Sequence, residues 1–457
     1  MTRTRRIGLA CLLMCCGVSV LWGFFLQYNS PDGMLDFKGV YYGARCLLHH
    51  SDPYKEGEPL RVCQLEGGDC SRPSDVLRQV LSLNVYFPTV FIFIAPFALL
   101  PWGPVHLLWM VLSAGILCLA AFLIWDLARN YSSVVAIFLI CFVLANCEAL
   151  FATGNAAGVA VGLCVLAVWC LLQERYAAVG ILCLAFSLAI KPHDAGLVWL
   201  FFLLAGGVYR KRALQTLVVT VLLSLPVILW VSHVAPNWMG ELHSNLLTQS
   251  APGGAANPGP SSSNSGSGPS MIINLQSAIY VFRDDPRIYN PASYLVCGAL
   301  MLVWSVCTLR SQFSQRRTWL ALAAVVPLTM LVTYHRPYDA KLLLLAVPAC
   351  AMLWAESGLI GWLALLVTTA GIVSTGDIPL TILIILNSNL YISTAGLYGK
   401  ILTAVLLRPT PLILLAMGVF YLWVYLRRTI SDIHRGSKKE TTLLFHIQAA
   451  QNPSGNK

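Results

Sequence analysis

The chain has 457 residues, 57% of them hydrophobic and only 11% charged. Soluble domains carry about 25% charged residues, so a water-soluble enzyme is excluded. The net charge of +10 sits in short Lys/Arg clusters between apolar runs. That pattern orients membrane proteins, and no nucleic-acid partner is expected.

A spanning helix needs about 20 mostly apolar residues, within about 17 to 25. Ile7–Tyr28 follows Arg3, Arg5 and Arg6. It reads as an uncleaved first span, being long and lacking a small-x-small cleavage site before Ser30. Asn29–Pro104 then forms a first outer loop. Within it Tyr86–Leu100 is apolar but contains Pro88 and Pro96, which suit a broken helix at the interface better than a crossing. Further spans are expected at Val105–Leu127, Val134–Phe151, Gly158–Gln173, Ala177–Ile190, Gly196–Val208, Leu214–Val231, Ala292–Leu309, Trp319–Thr333, Leu342–Trp354, Leu359–Ser374 and Pro411–Leu426. The fold class is therefore all-α, a polytopic transmembrane bundle of about 12 spans whose first outer loop holds amphipathic or re-entrant helices. Residues 1–426 make one transmembrane domain. Residues 232–290 are a large outer loop with an uncharged Gly/Pro/Ser/Asn tract, Ala251–Ser270, which reads as flexible. Residues 427–457 are a cytoplasmic tail.

The clusters at Arg129, Arg175, Arg210-Lys211-Arg212, Arg316-Arg317 and Arg427-Arg428 belong in the cytoplasm. All of them fall there if Tyr86–Leu100 does not cross. The outer turns then hold Asp36, Tyr41, Asn155, Lys191, His193, Asn274, Gln276, Ser277, His335, Arg336 and Asp339. Mixed polar groups gathered on one face point to a site there.

Asp36 follows the first span by a few residues and is flanked by Phe37, Tyr41, Tyr42 and Ala44, which read as an amphipathic helix along the membrane. It is either a solvated loop carboxylate or a general base held at the interface. Lys191 ends an apolar helix before Pro192. It is either a snorkelling anchor or, on the charge-poor face, a cation for a lipid phosphate. His335 and Arg336 lie at a hydrophobic boundary and need partners. Asp339 beside them suits a salt-bridged turn, and Asp194 suits a helix cap. Glu148, in an apolar helix, forms a buried polar pair with Asn146 or faces a groove. Trp102, Trp109, Trp230 and Trp238 read as interface belt. Cys63 and Cys70 are candidates for a disulfide if the first loop is outside. No cysteines stand at zinc-site spacing.

The run Asp36-Phe37-x-x-x-Tyr41-Tyr42-x-Ala44-Arg45, followed by Asp52-Pro53-Tyr54, resembles the first-loop signature of glycosyltransferase family 87, membrane enzymes of GT-C type. Tyr86-Phe87-Pro88, Gly154-Asn155, Ile190-Lys191-Pro192, Asn274-x-Gln276-Ser277 with Arg283, and Tyr334-His335-x-x-Tyr338-Asp339 resemble later family elements in the same order. The resemblance covers about residues 7 to 350. The chain lacks the Gln of the family's Gly-Gln-x-Asn turn and has an extra residue between Asn274 and Gln276.

The resemblance implies a polyprenyl-phosphate sugar donor, most typically mannose, and a lipid or glycan acceptor at the outer leaflet of the cell (inner) membrane, with inversion at the sugar. Asp36 is then the catalytic base. Lys191, His335, Arg336, Asn155, Tyr41, Arg45, Asn274, Gln276 and Asp339 are the substrate-binding candidates. No metal and no cofactor are expected, because a lipid monophosphate carries less charge than a nucleotide diphosphate. A transporter or flippase of a lipid-linked saccharide is the alternative, but it calls for internal repeats and mid-membrane polar groups. A purely structural subunit leaves the outer polar groups without purpose.

Overall fold

In the computed structural model, residues 3–29, 33–67, 70, 73–258, 271–389 and 396–429 are described. Most of the expected tail, from 430, and part of the flexible tract, 259–270, lie outside them.

The helices are α1 (Arg3–Asn29), α2 (Leu35–Leu48), α3 (Glu58–Glu66), α4 (Asp75–Ser82), α5 (Phe91–Ala98), α6 (Trp102–Leu144), α7 (Glu148–Thr153), α8 (Ala157–Leu172), α9 (Ala177–Ile190), α10 (Pro192–Leu204), α11 (Gly207–Val234), α12 (Trp238–Ser250), α13 (Gln276–Ile279), α14 (Pro286–Arg310), α15 (Gln315–Val332), α16 (Val347–Ala355), α17 (Leu359–Ser374), α18 (Asp377–Asn389) and α19 (Gly396–Leu402), then α20 (Pro409–Thr429). Among the described residues there is no strand. The protein is all-α and polytopic.

Five stretches are long and apolar enough to cross a membrane, and the pair α17 and Asp377–Leu386, bent by 68°, makes a sixth candidate. One of the five contains α6, whose 43 residues reach about 65 Å, roughly twice the hydrocarbon thickness of about 30 Å. Its backbone is extended at Ser132 (φ −149°, ψ 107°). That break falls between the two spans expected on either side. Other expected spans are apolar helices of 10–17 residues, among them α8, α9 and α10. α8 lies in the interior with nearly every residue buried, whereas α9 leaves Val179 and Leu182 exposed on one side. α15 is buried on every side from Thr318 to Leu331, as a helix apolar all round must be. Behind it a 3₁₀ stretch, Asp339–Ala346, runs into α16 with every residue to Leu353 buried.

Tyr86–Leu100 becomes a 3₁₀ turn, Pro88–Val90, and then α5. The apolar segment Pro88–Ala98 reaches only about 16 Å, short of the hydrocarbon thickness of about 30 Å. It packs on α2, and Thr89 Oγ1 donates to the Ala189 carbonyl at the end of α9 at 2.6 Å.

α2 departs from the expected surface helix. Ten of its residues, Phe37–Ala44, Cys46 and Leu47, are buried, because α3, α4 and α5 cover it. Phe37 stacks on Trp109 at 4.5 Å and on Trp102 at 5.8 Å. Trp109 and Trp238 are therefore buried packing residues rather than belt. Asn245 of α12 closes this unit by donating to the Tyr54 and Asn84 carbonyls at 2.9 and 3.0 Å. Cys63 and Cys70 are joined in a disulfide within it.

Candidate active site

Three chain junctions meet beside the start of α2. The first is the start itself. Met34 N–H donates to the Ala152 carbonyl at 2.8 Å, which sets Asp36 in the first turn of α2, where the helix dipole favours a carboxylate. The second is the Gly154-Asn155 turn after α7. Gly154 has φ +64°, and a Cβ there would lie 2.7 Å from Met34 Sδ and 2.9 Å from Phe37 Cβ. Only glycine allows this backbone to come so close to α2. Asn155, just before α8, accepts from Ala157 N–H at 2.9 Å, and its Nδ2 donates to Asp36 Oδ2 at 2.8 Å.

The third junction is Lys191-Pro192. A residue before proline is pushed out of the helical region, and Lys191 has φ −143°, ψ 84°. Its side chain leaves the axis there, with Pro192 opening α10. Lys191 is 8% exposed. Its Nζ donates to Asn155 Oδ1 at 3.4 Å, pairs with Asp339 and stands 3.7 Å from Asp194 Oδ2. The ring of Tyr338 lies beneath it at 5.3 Å. Asp36, Asn155, Lys191 and Asp339 thus form one connected chain.

Asp339 also accepts the Arg336 backbone N–H at 2.8 Å, which closes the loop that carries Tyr334 to Tyr338. The Arg336 guanidinium donates to the Tyr334 hydroxyl and, at 3.2 Å, to the Ala255 carbonyl. Desolvation opposes its charge, but Tyr334, Tyr338 and Asp36 outweigh that and hold its pKa above the ordinary range. Desolvation, then the Asp36 charge, push the Tyr86 phenol well above its usual value. For Tyr338 the causes are desolvation, then Tyr334 and Asp36. Both phenols stay neutral.

The other expected residues fall in three groups. Asn274 and Gln276 are buried and hydrogen-bonded to each other, with Asn274 Oδ1 accepting from Ser277 N–H at 3.1 Å. Their segment lies against the site loop through Ile273 N–H to the His335 carbonyl at 3.0 Å. His335 is fully enclosed and stands behind Lys191 rather than at an open surface. Tyr41 and Arg45 are not brought to the cluster. The Tyr41 hydroxyl donates to the Leu100 carbonyl at 2.7 Å, and Arg45 pairs with Glu66 and donates to the Ala98 carbonyl at 2.9 Å. They fasten α2 to the end of α5.

Asn146 and Glu148 also lie apart. Asn146 Oδ1 accepts Ile378 N–H at 3.1 Å, its carbonyl takes Lys341, and Asp377 accepts Ala149 N–H at 2.9 Å. They tie α7 to the bend between α17 and α18. Asp194, expected to cap a helix, makes no side-chain cap. It is 1% exposed and faces Lys191, His193 and His335. Tyr86, Tyr334 and Tyr338 stood in the quoted motifs, but their phenols lacked any sequence signal for a place in the cluster.

A family model, glycosyltransferase family 87, matches residues 84–334, more than half of the chain. The chain belongs to glycosyltransferase family 87. The match takes in Tyr86, Asn155, Lys191, Asp194 and Tyr334 of the cluster. No curated protein and no solved structure matches. Family 87 membership decides between enzyme and transporter: the protein is a membrane glycosyltransferase, with a sugar donor and an acceptor.

Proposed function

We propose that this family 87 enzyme transfers a hexose, mannose by family resemblance, from a polyprenyl-phosphate sugar to a lipid or glycan acceptor at the outer leaflet. The observation that carries the reading is the Asp36–Asn155–Lys191–Asp339 chain, which joins a carboxylate and a lysine ammonium in one cluster.

Asp36 takes the proton of the acceptor hydroxyl as that oxygen attacks the anomeric carbon. The bond from the anomeric carbon to the phosphate oxygen breaks on the opposite face, and the polyprenyl phosphate leaves with the electron pair. Attack opposite to departure inverts the centre. Lys191 and Arg336 stabilise the charge that grows on the leaving phosphate, and Asn155 keeps Asp36 and Lys191 at a fixed separation. His335 acts from behind Lys191. Asn274, Gln276, Tyr86 and Tyr338 line the sugar side. An apolar cavity of about 310 Å³ between α17, α18 and α20, lined by Val373, Leu380 and Leu407, offers room for part of a lipid chain.

An outer site in a multi-pass cell (inner) membrane protein agrees with the basic clusters of the opposite turns and with a disulfide in the first loop. Residues 1–426 act as one catalytic domain and 427–457 as a cytoplasmic tail. The test is mass spectrometry of lipid-linked glycans from membranes with and without the protein. Loss of one hexose from a glycan, with polyprenyl-phosphate hexose accumulating, is expected. Unchanged glycans would contradict the reading.

A further inference from the structure

The Asp194 carboxylate has an unusual surrounding. It is 1% exposed, and with the His335 proton on Nδ1 no hydrogen bond reaches either of its oxygens among the described residues. Two imidazole nitrogens face Oδ1, His335 Nε2 at 3.2 Å and His193 Nε2 at 3.9 Å. His335 Nε2 is likewise buried without a hydrogen bond. Buried polar atoms left this way are costly. A cation placed among them removes the cost at all three atoms.

We propose that His193, Asp194 and His335 bind a divalent transition-metal ion, zinc before others. Two imidazoles and a carboxylate are a ligand set that zinc accepts, with a fourth position open. The three ligand atoms lie within 4.8 Å of one another. Tetrahedral zinc, with ligands at about 2.0–2.2 Å, sets such atoms about 3.4 Å apart, so modest side-chain rotation closes the set. His193 is the ligand with room to rotate, its side chain being 35% exposed.

The support behind His335 fits as well. Its Nδ1 stands 3.2 Å from the Thr333 carbonyl. In the tautomer that donates to this oxygen, Nε2 carries a lone pair aimed at the carboxylate. A backbone carbonyl on the far ring nitrogen is how metal-bound histidines are oriented. Charge points the same way. The carboxylates of Asp36, Asp194 and Asp339 outnumber the permanent cations Lys191 and Arg336, so the cluster attracts one further positive charge. The ligands come from two distant parts of the chain, which is why no metal-ligand spacing stands in the sequence.

The full chain, purified in detergent and stripped by a chelator, is titrated with zinc alone, and bound metal is counted by elemental mass spectrometry. About one zinc per chain is expected. His193→Gln and Asp194→Asn should each weaken zinc binding at least about tenfold and abolish the visible bands of a cobalt(II)-loaded chain. If Asp194→Asn does not fold, His193→Gln, at a half-exposed position, carries the comparison. A wild-type chain that takes up no more zinc than His193→Gln overturns the proposal, and a proton on His335 then relieves the clash instead. The readout is metal content, so it stands or falls apart from the identity of the transferred sugar.

Discussion

Asn155 Nδ2 donates to Asp36 Oδ2 at 2.8 Å, while the oxygen of the same amide accepts from Lys191 at 3.4 Å. One neutral side chain therefore fixes the spacing between the Asp36 carboxylate and the Lys191 ammonium. Aspartate at this position would add a like charge beside Asp36, and alanine would free both groups. A hydrogen bond to a charged group is worth about 1.5–3 kcal/mol. Asn155→Ala should therefore lower turnover about ten- to a hundredfold, with a smaller change in donor KM. Steady-state kinetics on purified enzyme check this, and unchanged turnover would remove Asn155 from the site.

The Lys191–Asp339 pair is buried at 8% and 1% exposure. Removing one partner of a buried pair costs about 3–5 kcal/mol, whereas apolar replacement of both is often neutral. Lys191→Met alone should lower thermal stability in detergent, and Lys191→Met with Asp339→Leu should recover it without recovering transfer. Recovery of both would make the pair purely structural.

Tyr41→Phe removes the hydroxyl that holds the Leu100 carbonyl. The expected loss is about 0.5–1.5 kcal/mol of stability, with donor KM unchanged. A large rise in donor KM would put Tyr41 in contact with substrate after all.

Topology has its own test. Cysteine introduced at Gln312, beside Arg316-Arg317, should resist a membrane-impermeant reagent applied from outside. Cysteine at Ser262, in the tract outside the described residues, should react. Labelling of both from one side would contradict an outer site.

Much of this was legible in the sequence, for reasons that differ by residue. The helices follow from runs of apolar residues, and the break of Tyr86–Leu100 into a 3₁₀ turn and a short helix follows from its prolines. Asp36, Asn155, Lys191 and Asp339 were legible because polar groups at the ends of apolar helices are few and conspicuous. Tyr41 and Arg45 were candidates because they belong to the signature that begins at Asp36. They lie one and more than two turns further along α2, where α5 offers carbonyls as partners. Asp194 was read as a cap because its partner His335 is remote in sequence, and pairings of that kind leave no local pattern. The break at Ser132 has no proline or glycine to announce it.

The central claim is that Asp36 is the base of a transfer from a polyprenyl-phosphate sugar. Asp36→Asn keeps the size of the side chain and removes the base. The direct measurement is turnover of purified wild type and Asp36→Asn with a polyprenyl-phosphate hexose, alongside equilibrium binding of that donor. Turnover should fall about 10²- to 10⁴-fold while donor affinity stays within a few-fold, because the proposed phosphate contacts are Lys191 and Arg336. Wild-type turnover by Asp36→Asn would contradict the account.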